Sequence, residues 1–146
     1  MRRLWLALVC SGCPSTPPPA CLAAAPSTTC DTLYIPTFDN VWTMTLYPHC
    51  GGKDGACHHG SSPQAGLSFE TEQTAYDDLM MNSSLDPKRA RVVPGDVQCS
   101  LMLVRADSPG TDYQMPPGTP LPAEERCALT QWVANGAPGP GSGSAR

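Results

Sequence analysis

The chain has 146 residues, room for one domain, and a net charge of −4 with no basic stripe and no acidic block, which argues against nucleic acid as a partner and against a solvating acidic tail. Only 15% of residues are charged, below the roughly 25% usual for soluble domains, and 17 Pro with 13 Gly require short helices joined by long loops. Eight cysteines in so short a chain point to disulfides or covalent cofactor attachment if the protein is exported, and to metal or catalysis if it is not.

The N-terminus decides between these. Arg2 and Arg3 form a positive start, and Leu4 to Val9 an apolar run too short to span a bilayer as a helix. Cys10-Ser11-Gly12-Cys13 follows. Small residues before a cysteine, directly after such a run, resemble a lipobox; Cys13 fits because Ser11 and Gly12 precede it, and Cys10 fits less well behind bulky Val9. A cut near Ala23-Ala24-Ala25 is the alternative, although prolines interrupt its apolar region. The reading is a signal peptide over residues 1–12, lipid on Cys13, and a periplasmic or cell-surface location with membrane attachment through that lipid. Residues 13–36, rich in Pro, Ser, Thr and Ala, read as a semi-extended tether; Cys21 and Cys30 lie in it, paired or not.

A domain is expected over residues 37–138, all-α with long loops and monomeric. Asp39 is a candidate N-cap for a first helix with Val41, Trp42 and Leu46 as its apolar stripe, ended by Pro48. His49 to Gly66 reads as a loop. A second helix is predicted over 71–81, with Tyr76, Leu79 and Met80 on one face, and a third over 97–105, capped by Asp96. Between them Asp86 to Arg91 is a charged connection. Ala106 to Leu121 is a long loop. The fourth helix is the clearest: Pro122 opens it, Glu124 and Glu125 fill its first turn, and Gly136 closes it, with Cys127, Leu129, Trp132 and Val133 inward. From residue 137 to the 139–146 tail the chain reads as frayed.

The most informative local pattern is Cys50-Gly51-Gly52-Lys53-Asp54-Gly55-Ala56-Cys57-His58. Cys-His is the end of a c-type haem attachment motif, in which two thiols add to the haem vinyl groups and the histidine ligates iron. Six residues separate the cysteines here instead of two, and Gly51, Gly52 and Gly55 ease the bend needed to bring the sulfurs together. A Cys50–Cys57 disulfide is the bland alternative. A zinc site from Cys50, Cys57, His58 and His59, with His49 nearby, is another, but the paired Cys-x-x-Cys knuckles of such sites are missing. Met115, followed by Pro116 and Pro117, can supply a thioether as second iron ligand or simply pack. Asp77, Asp78, Glu124 and Glu125 read as solvated helix faces. No nucleophile elbow and no phosphate loop is present.

The order of these pieces resembles a family. Cys57-His58, Gly66-Leu67, Val92-Val93-Pro94-Gly95-Asp96, Ser100-Leu101, Met115-Pro116-Pro117-Gly118 and Trp132-Val133-Ala134-Asn135-Gly136-Ala137 follow one another as in the small cytochrome c-like domains of planctomycete and myxobacterial exported proteins. The resemblance implies a helical cytochrome c fold with haem c as cofactor: Cys50 and Cys57 at the thioether positions, His58 as proximal ligand and Met115 as distal ligand, in a pocket lined by residues such as Trp42, Leu67, Leu101 and Trp132. It implies an electron carrier with no catalytic residue, exchanging electrons with a redox partner protein. Cys99 and Cys127 lie outside the family pattern; on the predicted third and fourth helices, they are expected to form a disulfide clamping the two. A haem-free module, with Cys50–Cys57 as a disulfide in place of the cofactor's cross-link, is the alternative, and a peroxidase-like site would require Met115 not to ligate.

Overall fold

The computed structural model describes residues 16–52 and 57–142; the expected signal, Cys10 and the expected lipidation position Cys13 lie outside them. The elements are α1 (Phe38–Val41), a π-helical segment (Trp42–Gly51), a single 3-10 turn (Gln64–Gly66), α2 (Glu72–Met80), α3 (Leu101–Ala106) and α4 (Ala123–Ala134). Among the described residues there is no β-strand, only an isolated bridge between Asn82 and Ala90, so the fold is helical as expected. No helix among them is long and apolar enough to cross a membrane.

The first helix starts two residues earlier than predicted. Thr37, extended at φ −89° and ψ 158°, is the cap, its side chain accepting from the Asn40 N–H. Asp39 sits inside the first turn, where its carboxylate accepts from the Gly141 N–H at 3.3 Å. Nor does Pro48 end the helix: the backbone widens after Val41 and runs through to Gly51. An α-turn would press the proline ring against the preceding turn, and a wider turn relieves that contact. Cys50 therefore stands on a helix, not in a loop.

Helix α2 follows the prediction, with Thr71 as cap and Ala75 and Leu79 buried. Helix α3 is shorter than predicted. Asp96 does cap, but it caps a turn: its Oδ1 accepts from the N–H groups of Gln98 and Cys99 at 3.0 and 2.9 Å. Ser100, fully buried, then holds the chain non-helical, its hydroxyl accepting from the Val93 N–H at 2.9 Å and donating to the Asp96 carbonyl at 2.7 Å. Helix α4 has the predicted limits, and Gly136 at φ +89° supplies the left-handed residue that ends it.

The core lies where α1, α2 and α4 meet. Phe38 packs between Tyr76 and Trp132, at centroid distances of 5.1 and 5.2 Å, with Leu79, Leu103, Leu129 and Val133 around them. Trp132 satisfies its indole N–H on the Pro138 carbonyl at 2.9 Å, and Tyr76 donates to the Ala137 carbonyl at 3.2 Å. These bonds, with that from Gly141 to Asp39, dock the chain as far as residue 142; the part read as frayed packs on α1 and α2.

Residues 16–36 do not form a free tether. They are a strap bound to the domain by two disulfides, Cys21–Cys99 and Cys30–Cys127. The expected Cys99–Cys127 bond is not formed: Cys99 lies in the turn before α3 rather than on it, and each cysteine meets a partner in the strap. Proline-rich backbone has carbonyls to spare and few N–H groups, and side chains of the domain supply the donors. Arg89 donates to the carbonyls of Pro18, Pro19 and Ala20, Gln98 to Leu22 at 2.9 Å, and Gln131 to Cys30 at 2.8 Å. A segment that cannot order itself is ordered by what it is tied to.

Candidate haem-binding site

A backbone bond closes the segment between the cysteines, and a second fixes the chain after it. The His58 N–H donates to the Cys50 carbonyl at 3.3 Å, and the Gln64 N–H to the Cys57 carbonyl at 2.7 Å. Cys50, on the last turn of the π-helical segment, thus lies beside the Cys57-His58 step. Both thiols are free, so the Cys50–Cys57 disulfide is not formed. They are unequal. Cys57 is exposed, whereas burial pushes the Cys50 thiol up to about 12, with the charges of Cys57 and Glu125 adding to the effect.

His58 is held by its neighbours. Its Nδ1 lies 2.9 Å from the Leu67 carbonyl. A carbonyl can only accept, so the ring proton is on Nδ1. Burial lowers the imidazole pKa; the Leu67 and Gln64 carbonyls oppose the shift, and the charges of Arg105 and Arg91 add to it. The ring is therefore neutral near pH 7, with its lone pair on Nε2. Phe69 meets it edge-on at 5.3 Å. Phe69 is itself fixed: its N–H donates to the His58 carbonyl at 2.9 Å and its carbonyl accepts from the Trp42 indole at 3.1 Å. Gly51 is required behind it, since a Cβ there would lie 2.3 Å from the Phe69 Cβ.

Arg91 braces the same wall, and sequence reasoning missed it by reading residues 86–91 as a mere charged connection. Its side chain is buried and donates to the carbonyls of Asp78, Ala65 and Gly66 at 2.7, 2.7 and 3.2 Å. It pins the 3-10 turn that delivers Leu67 to His58. Asp78, predicted to be solvated, accepts from the Ser68 N–H at 2.8 Å and fixes the next residue of that wall.

Met115 is half-buried on the long loop after α3. Its N–H donates to the Arg105 carbonyl at 3.1 Å, and the Met115–Pro116 peptide is cis. Gln114, buried beside it, accepts from the Gly110 N–H at 2.6 Å and donates to the Pro116 and Gly118 carbonyls at 2.8 and 3.2 Å, a brace with no signal in the sequence pattern. The Arg105 carbonyl thus holds the Met115 backbone at the end of α3. Of the expected lining residues, Trp42 and Leu67 are partly buried at the edge of the core, Leu101 is buried, and Trp132 is fully buried against Phe38. Trp132 belongs to the core because its indole N–H needs the Pro138 carbonyl.

The other surprise is Glu125. It is 5% exposed, not solvated, and accepts from the Thr45 hydroxyl at 2.8 Å and pairs with His49 at 3.2 Å. Tyr34 of the strap bonds Thr45 in turn, and burial raises its phenol to about 12 against the effect of that bond. His49 is thereby committed to Glu125. Among the described residues no three His, Cys, Asp or Glu side chains come together as metal ligands, so the zinc reading lacks a donor set.

Residues 55–118 match the family model of planctomycete cytochrome c. This segment, 64 of the 146 residues, is similar to that cytochrome c family. The match includes Cys57, His58, α2, α3 and the Met115 loop; Cys50 and α4 lie outside it. No curated protein and no solved structure matches the chain. The side chains present fit a c-type haem in their chemistry: two free thiols at the ends of a closed loop, an imidazole whose Nδ1–H is held by a carbonyl, as is usual for metal-bound histidines, and a thioether on a later loop.

Proposed function

We propose that the protein is an exported electron carrier that holds a covalently attached haem with His58 and Met115 as axial ligands. Cys50 and Cys57 form the thioethers, each thiol adding across a vinyl group so that the sulfur and the proton end on the two vinyl carbons, with no net oxidation. When bound, the haem supplies an iron that takes up and releases one electron. The protein's own residues do the positioning. Leu67 fixes the imidazole tautomer, Phe69 and Gly51 fix the ring's tilt, and Gln114 fixes the Met115 loop. The role is transfer between partner proteins, with no substrate turned over. Two disulfides suit a location outside the cytoplasm, at the periplasm or cell surface, with lipid on Cys13 as the membrane attachment.

The observation that supports this reading most is the 2.9 Å contact from His58 Nδ1 to the Leu67 carbonyl, which reserves Nε2 for a metal. The test is the mass of the peptide spanning Cys50 to His58 after expression in a host that exports and matures c-type cytochromes. The peptide should carry one haem on two thioethers. Two alkylatable thiols, or a disulfide, would reject covalent attachment. The second reading, a haem-free module, draws support from the two strap disulfides and the filled core around Trp132, which hold the fold with protein contacts alone; unmodified cysteines with native stability would favour it.

A further inference from the structure

The strap begins against the domain, not away from it. Thr16 donates from its hydroxyl to the Asp112 carboxylate at 3.1 Å. Arg89 holds the carbonyls of Pro18, Pro19 and Ala20, Cys21 is bonded to Cys99, and Leu22 and Gln98 exchange two bonds at 2.9 Å. Cys13, the expected lipid attachment, stands three residues before Thr16. Three residues span at most about 11 Å, and the headgroup layer on one side of a bilayer is about 5–8 Å thick. A free spacer over residues 13–36 would instead reach about 70 Å in polyproline form. The contacts of residues 16–22 remove all but the first few residues of that reach.

We propose that the strap seats the domain directly on the bilayer that holds its own lipid, with the 84–89 loop and the residues around Asp112 turned to the headgroups. The inference rests on lipid at Cys13, as read above, and adds the orientation that the strap imposes. The occupant of this face is a bilayer rather than a second protein, because the short reach from Cys13 brings the bilayer there whatever else binds. The face suits that neighbour. Residues 84–88 are all exposed. Leu85, four residues before Arg89, is at 76% the most exposed large apolar side chain among the described residues. Turned to water it stabilises nothing, whereas at the headgroup boundary its apolar surface is removed from water. Asp112 stands three residues before Met115, so the loop that carries Met115 is held on the membrane side as well.

The test uses the full exported chain on supported bilayers of phosphatidylethanolamine and phosphatidylglycerol, read by neutron reflectometry and by amide hydrogen exchange. The water gap between headgroups and protein should stay below about 10 Å. A variant with a Gly-Ser spacer of about 12 residues inserted after Pro14, which leaves every strap contact in place, should widen the gap to about 20 Å. Peptides covering 84–89 and 110–114 should exchange several-fold more slowly in the natural chain than in the spacer variant on the same bilayer. Equal gaps for the two chains, or slowed exchange confined to a different face, would overturn the proposal. The mass of the N-terminal peptide separates the causes. A Cys13 without lipid would overturn the lipid reading and this inference with it, whereas a lipidated Cys13 with equal gaps would overturn the orientation alone.

Discussion

Removing the Cys30–Cys127 bond should cost about as much as truncating a large core side chain. With both disulfides in place the two loops overlap, so the constraint that this bond adds is not its full sequence separation of 97 residues. The shorter circuit runs from residue 30 back to 21, across the other disulfide, and on from 99 to 127, about 37 residues. Chain-entropy arithmetic for a loop of that size gives about 4 kcal/mol at 25 °C. The Cys30→Ser/Cys127→Ala variant should therefore lose about 4 kcal/mol by denaturant titration, or roughly 10–15 °C in Tm for a domain of this size. The strap should also loosen around residue 30, where the Gln131 bond to the Cys30 carbonyl and, further along, the Tyr34–Thr45 bond remain. A loss below about 1 kcal/mol, or peptide mapping that pairs Cys99 with Cys127, would refute the strap arrangement.

Gly51→Ala should destabilise by about 2–3 kcal/mol through overpacking, because its Cβ would lie 2.3 Å from that of Phe69; chemical denaturation gives the loss, and the aromatic NMR signals of His58 should move with it. Glu125→Ala should cost about 2–3 kcal/mol by leaving the Thr45 hydroxyl without its acceptor, and an unchanged midpoint would contradict the buried network. Glu72 tests the pH dependence. Its pKa is raised above 4.5 by burial first and by Asp39 second, so the folded state holds this proton more tightly than the unfolded one. The stability it contributes is complete below pH 4.5 and is lost as pH rises through the folded value. Glu72→Gln should thus raise Tm at pH 7 and leave it nearly unchanged at pH 3.5; equal shifts at both pH values would remove Glu72 from the account.

What the sequence made legible was what local chemistry controls. Helix α4 could be bounded from Pro122, its two glutamates and Gly136, and the family could be recognised from short motifs in order. What stayed hidden depends on long-range partners. Pro48 reads as a stop, yet a wide turn carries the helix through it to Cys50. Nothing in residues 16–36 announces a strap, because its order comes from Arg89, Gln98, Gln131 and two cysteines more than 70 residues away. Glu125 looks like any first-turn acid, and only the approach of Thr45 and His49 makes it a buried one. In the candidate site, Cys57, His58, Met115 and Leu67 are expected from short motifs, whereas Arg91 and Gln114 act by donating to backbone carbonyls and leave no pattern.

The absorption spectrum of the exported full chain, taken oxidised and then reduced, tests the central claim most directly. The account predicts a Soret band, with sharp α and β bands on reduction that survive denaturation in organic acid because the haem is covalently held. A colourless protein whose mass equals that of the polypeptide plus any lipid would contradict it.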